Sequence, residues 1–203
     1  MRDRRLLFFG DSLVVGVGDP TGLGWVGRVV AAAFAADMPV TPYNLGVRAQ
    51  TSVDVAARWR SEAQPRLLAR ATTGLVLSFG ANDTTIRAGE RRVTTERSQE
   101  ALATVLDEAA TMAIPALVVG PAPVDDTEQN RRIEDLSASF TEVCASRGTP
   151  FISVFAPTLA SPVWMTEIGA SDGAHPSSAG YTVVAEFITA TFLDWLRLIV
   201  GED

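Results

Sequence analysis

Short apolar runs alternate along the chain with longer segments in which apolar residues recur at helical spacing. Brief apolar runs bounded by glycine, proline or polar residues are typical of buried strands, and longer periodic segments are typical of helices. The predicted strands are Leu6–Phe9, Val40–Leu45, Gly74–Phe79, Ala116–Val119 and Phe151–Phe155. The predicted helices are Trp25–Ala36, Val53–Leu68 with Pro65 as an interruption, Thr95–Ala113, Glu128–Arg147 and Ser178–Val200.

This alternation predicts an α/β fold of three layers, α/β/α, in which helices cover both faces of a five-stranded parallel sheet. The strand order 2-1-3-4-5 would make the first three strands neighbours. A length of 203 residues fits one domain over residues 1–203. The connection Ala156–Pro176 shows no element of its own, and long connections of this kind are often functional.

The composition is that of a folded protein, and the charge restricts the classes of partner that it can bind. Hydrophobic residues make up 47% and charged residues 20% of the chain, as expected for a globular core. The net charge of −7, with no basic stripe, disfavours nucleic acid and anionic membrane surfaces as partners. No stretch approaches the roughly 20 apolar residues of a membrane span, and Leu6–Phe9 is too short for a signal peptide. With Met1 as the native start, we expect a cytoplasmic protein.

Lysine is absent from the chain, and histidine and cysteine occur once each, which excludes several kinds of site. All 17 basic residues are arginine, which excludes a Schiff-base lysine and a P-loop lysine. The chain has one histidine, His175, and one cysteine, Cys144, so a zinc site built on several such ligands is impossible. No metal or cofactor is expected.

Polar residues and glycines follow the predicted strands at the points where each strand ends. Ser12 follows the first strand, Gly46 the second and Asn82 the third, while Asp172 and His175 follow the fifth. Sites in open parallel sheets form beyond the carboxyl ends of the strands. We therefore expect these five residues at one edge of the sheet, with Ser12 between Gly46 and Asn82.

These residue types allow nucleophilic catalysis, although each has a simpler interpretation. A neutral imidazole can take the proton of a serine hydroxyl, and a carboxylate on its other nitrogen fixes the tautomer. Ser12 and Asp172 could instead cap turns or helices. The Asn82 amide could donate to an oxyanion or form an Asx turn, and Gly46 could expose its N–H or only allow a tight turn.

Four segments together resemble the four sequence blocks of the SGNH hydrolases, also called the GDSL esterase/lipase family: FGDSL, NLGVRA, GANDT and DGAHP. The resemblance runs from Phe9 to Pro176 and implies a flavodoxin-like fold. It implies Ser12 as nucleophile, His175 as base and Asp172 as its orienting carboxylate. It further implies an oxyanion hole made by the N–H groups of Ser12 and Gly46 and the side chain of Asn82. Two residues depart from the usual blocks, Ala49 in the second and Ser177 in the fourth.

The substrate is the least determined part of this hypothesis. We expect a serine esterase that acts on a small to medium acyl ester through an acyl-enzyme, with acyl transfer, thioester cleavage or carbohydrate deacetylation as alternatives on the same site. Val124, Trp164 and Met165 could line an acyl pocket or fill the core. The oligomeric state stays open.

Two hypotheses that involve no ester chemistry also remain. A nucleotide- or phosphate-binding module is suggested by the glycines after the first strand, Gly10, Gly16, Gly18, Gly22 and Gly24. Their spacing matches neither the dinucleotide-binding fingerprint nor the Walker motif of P-loop proteins. A catalytically inactive binding module on the same fold is the third possibility.

Overall fold

A computed structural model describes residues 3–200 of the chain. Its main sheet contains β1 (Arg4–Gly10), β2 (Thr41–Gly46), β3 (Thr72–Ser78), β6 (Ala116–Val119) and β7 (Phe151–Ile152), and a separate hairpin contains β4 (Ile86–Arg87) and β5 (Glu90–Arg91). The five main strands are parallel and follow the order β2-β1-β3-β6-β7. This confirms the predicted order 2-1-3-4-5. Strands β6 and β7 are the fourth and fifth strands of the main sheet, because β4 and β5 belong to the hairpin.

The helices are α1 (Ser12–Val15), α2 (Gly24–Ala35), α3 (Ser52–Ala63), α4 (Thr95–Thr111), α5 (Thr127–Ala145), α6 (Phe155–Leu159), α7 (Pro162–Gly169) and α8 (Ser178–Val200). Two 3₁₀ turns occupy Gln64–Arg66 and Ala81–Thr84. These elements place a helix after every strand of the main sheet.

The central strand β1 divides the core into two halves. Leu6 and Phe8 pack in a cluster with side chains of α2 and α8, whereas Leu7 and Phe9 pack in a second cluster with side chains of α3, α4 and α5. Alternate residues of a strand point to opposite faces, so a strand buried on both faces reads as continuous apolar sequence. The two clusters confirm the predicted three layers.

Two predicted elements extend three or more residues past their observed ends. The helix predicted over Val53–Leu68 ends at Ala63, because Pro65 in the following 3₁₀ turn has no N–H for an α-helical hydrogen bond. The fifth strand, predicted over Phe151–Phe155, stops at Ile152. Phe155 instead begins α6, and its side chain is buried.

The expectation that Ala156–Pro176 has no element of its own is wrong. Most of this connection belongs to α6 and α7. Helix α7 begins with a recognisable signal, since Ser161 Oγ accepts a hydrogen bond from the Trp164 N–H and Pro162 occupies the first helical position. The irregular part is therefore short and lies directly around Asp172 and His175.

Within residues 3–200, no helix combines the length and apolar character needed to cross a membrane.

Candidate active site

Ser12 lies at the carboxyl end of β1, where the chain turns into α1. Asp11 caps this short helix, because its Oδ1 accepts a hydrogen bond from the Leu13 N–H at 3.0 Å. Gly10 pairs with Gly46 of β2 and Ser78 of β3. A Cβ on Gly10 would lie 1.9 Å from Ser78 O, so the strand before Ser12 can pass this close to β3 only as glycine. Ser12 is thereby fixed between two neighbouring strands, as predicted.

Ser12, His175 and Asp172 form a continuous hydrogen-bonded chain. Ser12 Oγ lies 2.7 Å from His175 Nε2, and Asp172 Oδ2 lies 2.7 Å from His175 Nδ1. Both distances are normal for hydrogen bonds. A carboxylate on Nδ1 leaves Nε2 free to accept the serine proton. The structure thus brings together the three residues that were predicted to form a triad.

The carboxylate of Asp172 also shapes the loop that carries His175. Its Oδ1 accepts hydrogen bonds from the N–H groups of Ala174 at 3.1 Å and His175 at 3.0 Å. Partial burial acts to raise the pKa of Asp172, but the bonds from His175 and Ala174 outweigh it and hold this pKa below its usual value. Asp172 is therefore ionised at neutral pH, as an orienting carboxylate must be.

Close backbone packing holds the histidine loop against the segment after α1. Gly18 has a φ of +90°, and a Cβ on it would lie 2.6 Å from Pro176 O and 3.3 Å from the His175 Cβ. Tyr181 is buried in α8 and donates from its hydroxyl to Val17 O at 2.7 Å. The loop and the Gly-rich segment therefore fit together only because residue 18 has no side chain.

A buried ion pair, which the sequence did not reveal, ties α2 to the start of α8. Asp19 Oδ2 lies 2.5 Å from Arg28 Nη1, and Asp19 Oδ1 accepts a hydrogen bond from Ser178 Oγ at 2.8 Å. Arg28 Nη2 also donates to Ser178 O at 3.1 Å. Burial acts to raise the pKa of Asp19, but the bonds from Arg28, Thr21 and Ser178 outweigh it and keep this pKa well below its usual range. The pair fixes α8 three residues beyond His175.

Asn82 lies in the 3₁₀ turn after β3, beside Asp11. Its Nδ2 donates to Gln50 O at 3.1 Å and to Asp11 Oδ2 at 3.3 Å. Both donor hydrogens of the amide thus have protein acceptors. The next residue, Asp83, is fully buried and accepts hydrogen bonds from the Ser52 N–H and from Ser98 Oγ. It joins the starts of α3 and α4 to this turn and so fixes the backbone that carries Asn82.

Gly46 lies at the end of β2, where a side chain would not fit. A Cβ there would come within 2.8 Å of Asp11 O. The Gly46 N–H donates to Asn44 Oδ1 at 3.1 Å, and Asn44 Nδ2 in turn donates to Val14 O at 2.6 Å. In this conformation the N–H is therefore engaged within the protein. Ala49, which replaces a frequent glycine, keeps a left-handed backbone with φ +62°.

A cavity of about 240 Å³ opens beside Ser12 and His175. Its lining residues are Asp11, Ser12, Leu13, Ala81, Asn82, Thr85, Val124, Asp125, Asp126, Gln129, Asp172, Gly173, Ala174 and His175. Of the three predicted pocket residues, only Val124 lines it. Trp164 is buried in the core, where its Nε1 donates to Pro123 O at 3.1 Å, and the partly buried Met165 faces a neighbouring groove.

Asp11, the residue before Ser12, is buried. Burial raises its pKa to about 7, and the nearby Asp83 acts in the same direction, against the lowering effect of the Leu13 N–H. The carboxyl accepts hydrogen bonds from the Leu13 N–H and the Asn82 amide, so it joins α1 to the turn that carries Asn82.

Fold and site together have the features of a serine hydrolase, since a hydrogen-bonded serine, histidine and aspartate meet at one edge of a parallel sheet. The model of the GDSL-like Lipase/Acylhydrolase family matches residues 8–183. The chain belongs to this family and is an esterase or acylhydrolase. No curated protein matches the chain.

Solved structures with the same fold span nearly the whole chain. A lipase/acylhydrolase from Enterococcus faecalis is 25% identical with a TM-score of 0.77, over 94% of this chain and 96% of that one. An acetylxylan esterase from Geobacillus stearothermophilus is 19% identical with a TM-score of 0.75, over 95% and 93%. An α/β hydrolase from the metagenome of Lake Arreo is 19% identical with a TM-score of 0.74, over 96% and 95%. Below 25% identity these similarities concern the fold alone.

Proposed function

We propose that the chain hydrolyses small to medium acyl esters through a covalent acyl-serine intermediate. The observation that carries this proposal is the 2.7 Å approach of Ser12 Oγ to His175 Nε2, with Asp172 on the other ring nitrogen. Ser12 Oγ attacks the ester carbonyl while its proton passes to His175 Nε2. The resulting imidazolium protonates the departing alcohol, which leaves the acyl group on Ser12. Water, deprotonated by His175, then releases the acid and restores Ser12.

The negative oxygen of the tetrahedral intermediate requires donors near Ser12. We assign this role to the Ser12 N–H, which opens α1 and has no intrahelical acceptor, together with the Asn82 amide and the Gly46 N–H. The bond from Asn82 to Asp11 is long at 3.3 Å, so an oxyanion would replace it at little cost. Donors of this kind often align fully only once the reacting complex forms. Gly46 would have to release its N–H from Asn44 in the same way.

The cavity supports a short acyl group or a compact alcohol. Its 240 Å³ lies below the roughly 300–1,000 Å³ of pockets that enclose drug-sized ligands. Carbohydrate deacetylation is a second candidate, because Thr85, Asp126 and Gln129 bring polar side chains to the lining of the cavity, together with the apolar Leu13 and Val124. Such groups suit the hydroxyls of a sugar. A similar fold in an acetylxylan esterase agrees with this choice.

The glycines after β1 favour esterase chemistry over phosphate binding. A Cβ on Gly16 would lie 2.8 Å from the Gly24 Cα, and one on Gly18 would meet the histidine loop. These glycines thus serve close packing of backbone segments around the triad. The single cysteine, Cys144, is buried, which suits the cytoplasmic location that we continue to propose.

The test combines labelling with turnover. A fluorophosphonate probe should label the wild type stoichiometrically at Ser12, and Ser12→Ala and His175→Ala should each lower kcat on p-nitrophenyl esters by about 10³-fold or more. The double variant should be little worse, since the triad acts as a unit. Ser61→Ala, which removes an exposed hydroxyl on α3, is the matched control. Turnover near wild type in a folded Ser12→Ala variant would refute the proposal.

Comparison of acyl chain lengths with acetylated sugars, thioesters and an added alcohol acceptor then separates the alternatives. Faster turnover of sugar acetates than of simple esters would assign deacetylation. Acyl transfer in preference to hydrolysis would assign an acyltransferase.

A further inference from the structure

A second groove, separate from the catalytic cavity, lies between the start of α3 and the hairpin that precedes α4. Its volume is about 470 Å³. Its lining residues are Thr51, Val53, Asp54, Arg91, Arg92, Val93, Thr94 and Arg97. The groove thus carries three arginines in a chain whose net charge is −7.

The three guanidinium groups have few partners within the protein. Arg91 Nη1 donates to Thr95 Oγ1 at 3.0 Å, and Arg92 Nη2 donates to Ala49 O at 2.8 Å. For residues 3–200, no carboxylate lies within ion-pairing distance of these two side chains or of Arg97. A guanidinium has five N–H donors, so most donors in the groove remain available to a ligand.

The acidic side chain that lines the groove is already engaged. Asp54 Oδ2 accepts hydrogen bonds from the Thr51 N–H at 2.9 Å and from Thr51 Oγ1 at 2.7 Å, which completes the capping box of α3. Burial acts to raise the pKa of Asp54, but the two bonds from Thr51, followed by the charge of Arg92, hold it below its usual value. Arg91 also acts on Glu96, which lies outside the lining. Among the lining residues themselves, three cations face one anion, so the groove keeps a positive excess.

We propose that this groove binds an oxyanionic group, a phosphate, sulfate or carboxylate, through Arg91, Arg92 and Arg97. The planar guanidinium fork matches such oxygens with two parallel hydrogen bonds. The positive ends of α3 and α4 at the groove act in the same direction. What distinguishes this groove is that three arginines without an ion pair among the described residues line one concavity, whereas Arg131, for example, pairs with Glu128.

A backbone hydrogen bond connects the lining of the groove to the lining of the catalytic cavity. The Arg92 N–H donates to Thr85 O at 3.0 Å, and Thr85 lines the catalytic cavity. Gln50, next to Thr51, accepts the hydrogen bond from the Asn82 amide. The catalytic cavity itself carries the carboxylates of Asp125, Asp126 and Asp172. An ester with an anionic group would therefore be oriented with that group in the groove and away from the acidic cavity.

Binding is tested without reference to catalysis. Inorganic phosphate, titrated at constant ionic strength, should cause saturable shifts of the backbone amide signals of residues 51–54 and 91–97. Arg91→Gln/Arg97→Gln should weaken this binding by about tenfold or more, because it removes two charge-assisted donors. Arg60→Gln, which removes an exposed charge at the far end of α3, should leave it unchanged. The absence of saturable shifts, or an equal loss in Arg60→Gln, would overturn the proposal.

A kinetic comparison identifies the source of the anion and rests on the proposed esterase function. The ratio of kcat/KM for a phosphorylated ester to that for its neutral analogue should fall by about tenfold in Arg91→Gln/Arg97→Gln if the anion is part of the substrate. An unchanged ratio together with phosphate binding would assign the groove to a separate anionic ligand. Failure to hydrolyse any ester would count against the esterase proposal and leave the binding result intact.

Discussion

At the scale of single residues, substitution of Asn82 distinguishes a catalytic role of its amide from a structural one. If its amide binds the oxyanion, Asn82→Ala should lower kcat by about 10²–10³ with a smaller change in KM, because the bond matters most in the transition state. The measurement is kcat and KM beside the Tm. A variant with lowered Tm but nearly normal kcat would restrict Asn82 to holding Gln50 and Asp11. Asn82→Asp is less informative, because both partners of the amide are acceptors and a carboxylate would repel them.

Gly18 and Gly22 offer a matched pair at the same scale. Both have positive φ, +90° and +70°, but a Cβ would meet the His175 loop only at Gly18 and nothing within 4 Å at Gly22. Each change to alanine should cost about 1–2 kcal/mol of stability from the left-handed backbone, and Gly18→Ala should cost more, because its Cβ would lie 2.6 Å from Pro176 O. Only Gly18→Ala should also displace His175, and kcat should fall by up to about 10²-fold. Equal kcat values in the two variants would show that the histidine does not depend on this contact.

At the scale of elements, the pair between Asp19 and Arg28 joins α2 to α8. Arg28→Gln leaves a buried carboxylate without its cation, which should cost about 3–5 kcal/mol in urea denaturation. It should also lower kcat, since Ser178 lies close behind His175. Arg131→Gln breaks an exposed pair, whose side chains are 68% and 69% exposed, and should cost about 0–1 kcal/mol. Similar losses in the two variants would contradict a structural role for the buried pair.

Acidification should weaken the link that Asp19 makes between α2 and α8. Since the folded pKa of Asp19 lies below its usual value, the stabilisation is fully present above that usual value and is lost as the pH falls toward the folded pKa. Asp19→Asn should therefore lose less stability on acidification than the wild type. A parallel decline of both proteins would refute this sign.

The elements were predictable where burial on both sides gives a continuous apolar run, as in Leu6–Phe9. Helices α6 and α7 were missed because they are too short for apolar residues to recur at helical spacing over several turns. The hairpin was missed because its strands contain only two residues each, which leaves no alternation to detect. Ala88 and Gly89 at its turn both have positive φ, but alanine is not one of the residues that mark such a turn in a sequence.

At the scale of the whole molecule, Asp11 makes stability depend on pH. Its folded pKa of about 7 lies above the unfolded value of about 3.9. Between these values the folded protein holds a proton that the unfolded chain has released, so this group lowers stability as the pH rises toward 7. Asp11→Asn cannot ionise, and its stability relative to the wild type should therefore increase over that window and level off above it. A constant difference from pH 5 to 8 in urea denaturation would contradict this sign.

The sequence predicted the strand order and the meeting of Ser12, His175 and Asp172, because carboxyl ends of parallel strands share one edge. It did not reveal what holds them there. Asp19 and Arg28 stand nine residues apart in the chain, and their common partner Ser178 comes from a distant helix. Trp164 was ambiguous for a similar reason, since an apolar residue near a site can equally fill the core. Such long-range partners have no local pattern.

The contact between Ser12 and His175 joins residues 163 positions apart. During synthesis Ser12 therefore leaves the ribosome long before His175 has been added to the chain. A nascent chain cannot hydrolyse esters until residues near 175 have emerged and α8 has docked beside α2. Esterase activity accordingly reports that the first and last parts of the chain have assembled, and its recovery during refolding times that final step.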